Sequence, residues 1–249
     1  MTATITTAPL VLRGLSKHFG GVVAVERFDL EVAAGEIVAL VGDNGAGKST
    51  LVKMISGLYQ PTDGEIVIHG KPVHFSDASD ARAEGVEVVY QDLALVDQQP
   101  VYMNLFLGRE LRKPLTGVLD RRRMADETQR LIDELDVRIP SARAVISDLS
   151  GGQRQGIAIA RATHWASGLV LMDEPTAALG IAETARVEDT IMRLKQRGAA
   201  VLIVSHNLDQ VFRLADRVAV LRRGRQVGVR AIGEVERNDV VGMITGLVS

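Results

Sequence analysis

The sequence contains no cysteine. That absence excludes disulfides, thiolate metal sites and a cysteine nucleophile, and it suits a reducing compartment. An excess of either charge is missing as well: 29 Lys and Arg against 31 Asp and Glu leave a formal net charge of −2. No general attraction to nucleic acid or to an anionic membrane follows from such a balance. Long hydrophobic runs are also lacking. The longest, Ala199 to Val204 and Ile37 to Val41, fall far short of the roughly 20 residues that a spanning helix needs. The opening Met-Thr-Ala-Thr-Ile-Thr-Thr has neither the basic start nor the apolar stretch of a secretory signal. The expectation is a soluble chain whose work at any membrane goes through a partner. What is present is ordinary for a globular domain: 249 residues, 46% of them hydrophobic, enough for a sizeable core.

Glycine and proline divide the chain into three zones. Up to about residue 75, short apolar or alternating stretches predict strands at Val11 to Leu15, Phe28 to Val32, Ile37 to Val41 and Glu65 to His69. A helix interrupts them after Gly47, with Leu51, Val52, Met54, Ile55 and Leu58 on one broad face. From about 92 to 165 the pattern turns helical, with Met124, Thr128, Leu131, Ile132 and Leu135 spaced by three and four. The last zone alternates: strand at Leu169 to Met172, helix at Ala182 to Arg197, strand at Ala199 to Val204, helix at Leu208 to Ala215. That order predicts a parallel sheet with crossover helices. The arginine clusters Arg121 to Arg123 and Arg222 to Arg225 read as solvated faces. No internal repeat and no low-complexity linker is visible.

Gly42-Asp43-Asn44-Gly45-Ala46-Gly47-Lys48-Ser49-Thr50 follows the G-x4-G-K-[ST] pattern, preceded by an expected strand and followed by an expected helix. Glycines let successive N–H groups point inward, and a helix N-terminus adds partial positive charge where a polyphosphate sits. In such a loop Lys48 reaches the β- and γ-phosphates, and the Ser49 hydroxyl is a ligand for Mg²⁺. The reading is a nucleoside-triphosphate site. Downstream, Leu169-Val170-Leu171-Met172-Asp173-Glu174 is an apolar strand that delivers two acids at its C-terminal end, the edge where ligands bind in open α/β sheets. Asp173 suits the outer coordination of Mg²⁺, and Glu174 is placed to polarise an attacking water.

Between these two stations lies Leu149-Ser150-Gly151-Gly152-Gln153, with Ser150 as the expected N-cap of a helix and a second anion-ready turn. With this pentapeptide, the chain resembles the ATP-binding cassette ATPases over almost its whole length. Further stations stand in the family's order: Phe19, in Lys17-His18-Phe19-Gly20, matches the aromatic that stacks on adenine. Gln91, after Val88-Val89-Tyr90, matches the loop glutamine that joins Mg²⁺ and water to the helical subdomain. His206, in Ile203-Val204-Ser205-His206, matches the switch histidine on the γ-phosphate.

The resemblance implies an α/β fold: a P-loop NTPase (RecA-like) core with an antiparallel β subdomain and an inserted α-helical subdomain. It implies one ATPase domain over 1–249, with about 1–91 and 166–249 as nucleotide-binding core and about 92–165 as helical subdomain. ATP and Mg²⁺ are the implied cofactors, with Ser49, Gln91 and Asp173 toward Mg²⁺. In the family, cassettes pair head to tail, so that Ser150, Gly151, Gly152 and Gln153 of one chain close on the nucleotide held by Lys48 of the other. A second cassette, identical or similar, is therefore implied, together with a membrane permease and, indirectly, an external solute-binding protein; nucleic acid is not an expected partner. The implied location is peripheral, on the cytoplasmic face of the membrane.

Two departures point to a branch. After Glu174-Pro175-Thr176 most cassettes run to Ser-Ala-Leu-Asp, whereas Ala177-Ala178-Leu179-Gly180 stands here, so the aspartate that talks across the dimer is replaced by Gly180. Gly156 stands where arginine is usual. Both features, the Asp43-Asn44 pair and the stretch Val101 to Glu110 resemble the ATPases of monosaccharide importers, and a single cassette resembles the fructose type. Import of another solute, such as a branched amino acid or a lipid, is the alternative; a non-transport cassette acting on DNA or ribosomes is a more distant one. No regulatory extension is expected after about residue 230, and no fused membrane helices.

Overall fold

The computed structural model describes residues 8–135, 137–166, 168–177 and 179–247. The opening heptapeptide and Ala178, both singled out above, lie outside them. In chain order the elements are β1 (Leu10–Phe19), β2 (Val22–Val32), β3 (Ile37–Val41), α1 (Lys48–Ile55), β4 (Asp63–Ile68), β5 (Lys71–Val73), α2 (Ala78–Ala83) and β6 (Val86–Val89). Then come α3 (Val101–Leu105), α4 (Arg121–Leu135), α5 (Gly151–Trp165), β7 (Leu169–Asp173), α6 (Ile181–Gln196), β8 (Ala200–Val204), α7 (Leu208–Leu214), β9 (Arg217–Arg222), β10 (Arg225–Ala231) and α8 (Arg237–Thr245). Two compact units result: Met1–Val88 with Ala166–Glu174 and Leu194–Ser249, and Val89–Trp165 with Pro175–Arg193.

The first unit is organised by one sheet in the order β5-β4-β1-β2-β10-β9-β3-β8-β7-β6. β3 runs parallel to β9 and β8, and β7 to β8, whereas β1 pairs antiparallel with β2 and β4, β4 with β5, and β9 with β10. β3 is buried along its whole length because both its faces are covered, as expected for a central parallel strand. Its alternate residues serve two cores. Val38 and Leu40 join Leu51, Met54 and Ile55 of α1, while Ala39 and Val41 join Val211 of α7 and Val240 and Met243 of α8.

Some elements differ from the sequence expectation. β1 and β2 are twice as long as their apolar cores because the ladder shifts register on both sides of Leu15, with Gly14 and Arg27 in the left-handed region. Bulges of this kind break the period-two pattern without ending the strand. Leu58 leaves the buried helical face: α1 ends at Ile55, Gly57 takes φ +75°, and Leu58 is exposed. The cluster Arg222 to Arg225 is a hairpin corner between β9 and β10, with Arg223 and Gly224 both at positive φ, and Arg223 and Arg225 are exposed as expected of a solvated face. In the second unit α3, α4 and α5 pack on one another, burying Met124, Thr128, Leu131, Ile132 and Leu135 of α4.

Candidate functional site

The loop Gly42 to Gly47 leaves the C-terminal end of β3 and enters α1. Two glycines are required by close approach. A Cβ on Gly42 would sit 2.0 Å from the Leu221 carbonyl oxygen, and one on Gly47 would sit 2.4 Å from that of Ala24. Neither backbone group can retreat without breaking the sheet. Asp43, Asn44 and Gly45 stand exposed at the tip, and Ala46 is buried beneath them. Gly47 is the N-cap, with φ +107° and no side-chain cap, so the first N–H groups of α1 have no partner within the helix. Ser49 is exposed in that first turn and Thr50 is half-buried behind it. The Lys48 ammonium folds back over the loop and donates to the carbonyls of Gly42 (2.6 Å) and Asp43 (2.9 Å). Burial lowers its pKa, against the opposing charges of Glu174, Asp43 and Asp173.

β7 carries the two acids into the same unit. Burial, and then the neighbouring Glu174, push the Asp173 carboxyl above its usual range, while Lys48 and Lys53 pull the other way. Glu174 has φ +53°, a conformation that costs a non-glycine residue about 1–3 kcal/mol. Its N–H donates to the Val204 carbonyl (2.9 Å), and its carboxylate lies 2.7 Å from Nδ1 of His206. The strain turns the side chain of a strand-end residue toward the loop after β8. That loop is itself pinned: buried Ser205 donates its hydroxyl to Gln210 and accepts from the N–H of Asn207, which caps α7. His206 remains exposed.

Phe19, at the end of β1, is 43% exposed and meets Tyr59 edge to face at 5.3 Å. Lys17 stands 5.2 Å from the Phe19 ring centre while its ammonium is tied to the Gln60 carbonyl at 2.7 Å. An exposed aromatic face held by an edge partner is a platform for a planar ligand. The oxygen donors of Ser49 and Asp173 are of the hard type that suits Mg²⁺, and a cation at Asp173 would offset the burial and the neighbouring Glu174 charge that raise its carboxyl.

The second unit holds Gln91, exposed in the bend after β6, and the turn that opens α5. Ser150 and Gln153 form a reciprocal box: the Ser150 N–H donates to Gln153 Oε1 (2.9 Å) and the Gln153 N–H to Ser150 Oγ (3.3 Å). Gln153 Nε2 also donates to the Arg138 carbonyl (2.7 Å). Gly151 is exposed and Gly152 half-buried. Gly156 packs on Val137, where a Cβ would come to 2.8 Å, so an arginine stem at that position needs a different neighbour.

Residues 25–177 match the family model for the ABC transporter. The chain belongs to the ABC transporter family. Among its relatives, the xylose/arabinose import ATP-binding protein XylG of Sulfolobus acidocaldarius is 43% identical over 95% of this chain and 93% of its own length. The fructose import ATP-binding protein FrcA of Rhizobium meliloti is 44% identical over 95% and 94%. A ribose import ATP-binding protein of Rubrobacter xylanophilus is 41% identical over 95% of this chain but 47% of its own. An ATP-binding cassette of an ABC transporter in its ADP conformation, MJ1267, superposes with a TM-score of 0.84 at 23% identity, covering 97% of this chain and all of that one. The α/β P-loop fold expected from the motifs is thus the fold found. As an ABC cassette, the chain binds ATP and is an ATP hydrolase, and no described helix is long and apolar enough to cross a membrane.

Within this ABC fold the structure adds supporting contacts that the motifs did not reveal. Tyr59 supports Phe19, Ser205 and Gln210 fix the loop of His206, and Glu183 of α6 lies against the Ser150 turn. Only Tyr59 carried a sequence signal, as one of three tyrosines and placed just past the helix that follows the loop. The others act through contacts that spacing along the chain does not reveal.

Proposed function

We propose that this chain is the ATP-hydrolysing subunit of an importer for a monosaccharide, acting as one of two cassettes beneath a membrane permease. The whole-length likeness to the xylose/arabinose and fructose import proteins carries the substrate class, and the Glu174–His206 contact beside the lysine loop supports the chemistry. ATP would stack its adenine on Phe19 and lay its phosphates along Gly42 to Thr50. Lys48 then exchanges two carbonyl partners for the β- and γ-phosphates, which offsets its desolvation. Ser49 and Asp173, and by the family match Gln91, would hold Mg²⁺, which would neutralise phosphate charge when bound. Glu174 takes the proton of the attacking water, and His206 orients that carboxylate and reaches the γ-phosphate. Ser150 to Gln153 of the other cassette complete the site. Closure on ATP and reopening after hydrolysis move the permease, and an external binding protein delivers the sugar. The cassette then works at the cytoplasmic face of the membrane.

Uptake of labelled xylose, arabinose, fructose and ribose by cells carrying wild type or Lys48→Ala tests the reading. Loss of uptake for one or two of these sugars is expected. Unchanged uptake of all four, with the variant stably present and no second ATPase for the same permease, overturns the sugar assignment.

A further inference from the structure

Residues 111–120, between α3 and α4, belong to none of the motifs above, yet they are held in a fixed shape. They close into a hairpin. The Lys113 N–H donates to the Val118 carbonyl (2.8 Å), the Gly117 N–H to that of Lys113 (3.0 Å) and the Asp120 N–H to that of Leu111 (2.8 Å). Arg112 braces the turn, donating from its guanidinium to the Gly117 carbonyl at 3.0 Å. Just before the hairpin, the Arg109 guanidinium lies 4.7 Å over the Trp165 ring. All this order presents an apolar tip to water: Leu115 is 99% exposed and Val118 61%. A leucine held out on a braced turn adds no buried apolar area to the fold, so the arrangement points to an external contact.

Cations flank the tip. Arg109, Arg112, Lys113, Arg121, Arg122 and Arg123 stand against Glu110 and Asp120 over residues 109–123, a local surplus of basic groups in a chain whose net charge is −2. Arg122 and Arg123 meet acids one helical turn on, Asp126 and Glu127, and Asp120 accepts from the Arg123 N–H at the start of α4. Lys113 and Arg121 have no carboxylate partner among the described residues. Both line an open hollow with Val118, Leu119, Asp120 and Arg122. A protein interface needs about 800 Å² of fitted surface on each side, with a core depleted in lysine; here two apolar side chains stand at an apex beside a lysine. That combination matches the boundary of an anionic bilayer, where apolar groups enter the acyl edge and cations meet phosphates. We propose that the hairpin is a contact for an anionic lipid surface, with Leu115 and Val118 entering the headgroup boundary and Arg112, Lys113 and Arg121 facing lipid phosphates. The contact goes beyond the importer reading and is independent of the imported solute.

Flotation of the full chain with vesicles of phosphatidylcholine, alone or with about one-third phosphatidylglycerol, tests the proposal. Preferential binding to the anionic vesicles is expected, weakening as salt rises. Lys113→Gln should lower that binding about fivefold, the worth of one basic residue near such a surface. Leu115→Ser should lower it by a similar factor through lost apolar contact. Both side chains lie in water, so both variants should keep the wild-type midpoint in urea unfolding. Equal binding to the two kinds of vesicle, or binding that neither variant lowers, overturns the proposal. Self-association of the nucleotide-free chain in sedimentation, abolished by Leu115→Ser, would make a second copy the occupant and also overturn it. Capture by polyglutamate without binding to anionic vesicles would do the same in favour of an acidic protein.

Discussion

Helices α1 and α5 both begin on glycine-rich turns, and the two ends have been finished in opposite ways. The α1 end has no side-chain cap and no acid in its first turn; its nearest charge is the Lys48 ammonium, resting on two carbonyls. The α5 end is filled by its own chain, by the Ser150–Gln153 box, and the Glu183 side chain packs against Gly152. The same partial positive charge at a helix start is left open in one case and capped in the other. The open end, strengthened by a lysine, has the donors and the charge that the proposed phosphate site needs, whereas the donors of the other end are already partly used by its own chain.

Breaking the open end is expected to have the largest effects. Glu174→Gln keeps the size and much of the hydrogen bonding of the carboxylate but cannot accept a proton. A steady-state phosphate-release assay should show turnover falling by about 10²–10⁴, with ATP binding retained in a filter or fluorescence titration. Loss of both would mean that Glu174 holds the loop together instead of serving the reaction.

Substituting glycines sharpens the contrast between the two turns. In Gly42→Ala the new methyl meets the Leu221 carbonyl of a central strand at 2.0 Å, and rigid backbone cannot yield. A loss of more than about 3 kcal/mol in urea unfolding is expected, and with it ATP binding. In Gly152→Ala the obstacle is the Glu183 side chain, which can swing out to solvent. That variant should lose about 1 kcal/mol while hydrogen exchange at residues 150–153 rises. An equal loss at both positions would remove the distinction between a fixed and a displaceable partner. Smaller still, Phe19→Ala should weaken ATP binding by about 1–3 kcal/mol, the usual worth of a base stacked on an aromatic ring. Tyr59→Leu should cost less than that, since it removes only the edge support of Phe19.

The open end was legible in the sequence because each of its needs is local. An apolar strand, a glycine loop, a lysine and a helical face follow one another within some twenty residues, and the acids after Met172 close an equally local strand. Much of the sheet was legible for the same reason: β3, β7 and β8 are short unbroken apolar runs. What was hidden depends on pairing at a distance. Bulges at Gly14 and Arg27 mask half of β1 and β2, and an Arg223-Gly224 corner reads as surface charge because arginine seldom takes positive φ. Glu183 stands thirty-three residues after Ser150, and only the packing of α6 near α5 brings its side chain against Gly152.

The Glu183 carboxyl beside that turn should also titrate. The Ser150 hydroxyl, followed by the N–H groups of Gly152 and Gly180, holds the Glu183 carboxyl below the ordinary glutamate range, with Arg186 adding to the effect. A depressed carboxyl pKa contributes order that is present above the unfolded value and disappears as pH falls through the folded one. Protection of residues 150–153, measured by exchange and corrected for intrinsic rates, should therefore persist at the pH where an ordinary glutamate is half protonated and fade only below it. In Glu183→Gln the profile should be flat over that window. Arg138 and Arg186, the charged neighbours that line the same cavity, stay protonated throughout and cannot produce the slope. A slope that survives in Glu183→Gln would assign the titration to another group and leave the α5 end no more filled than that of α1.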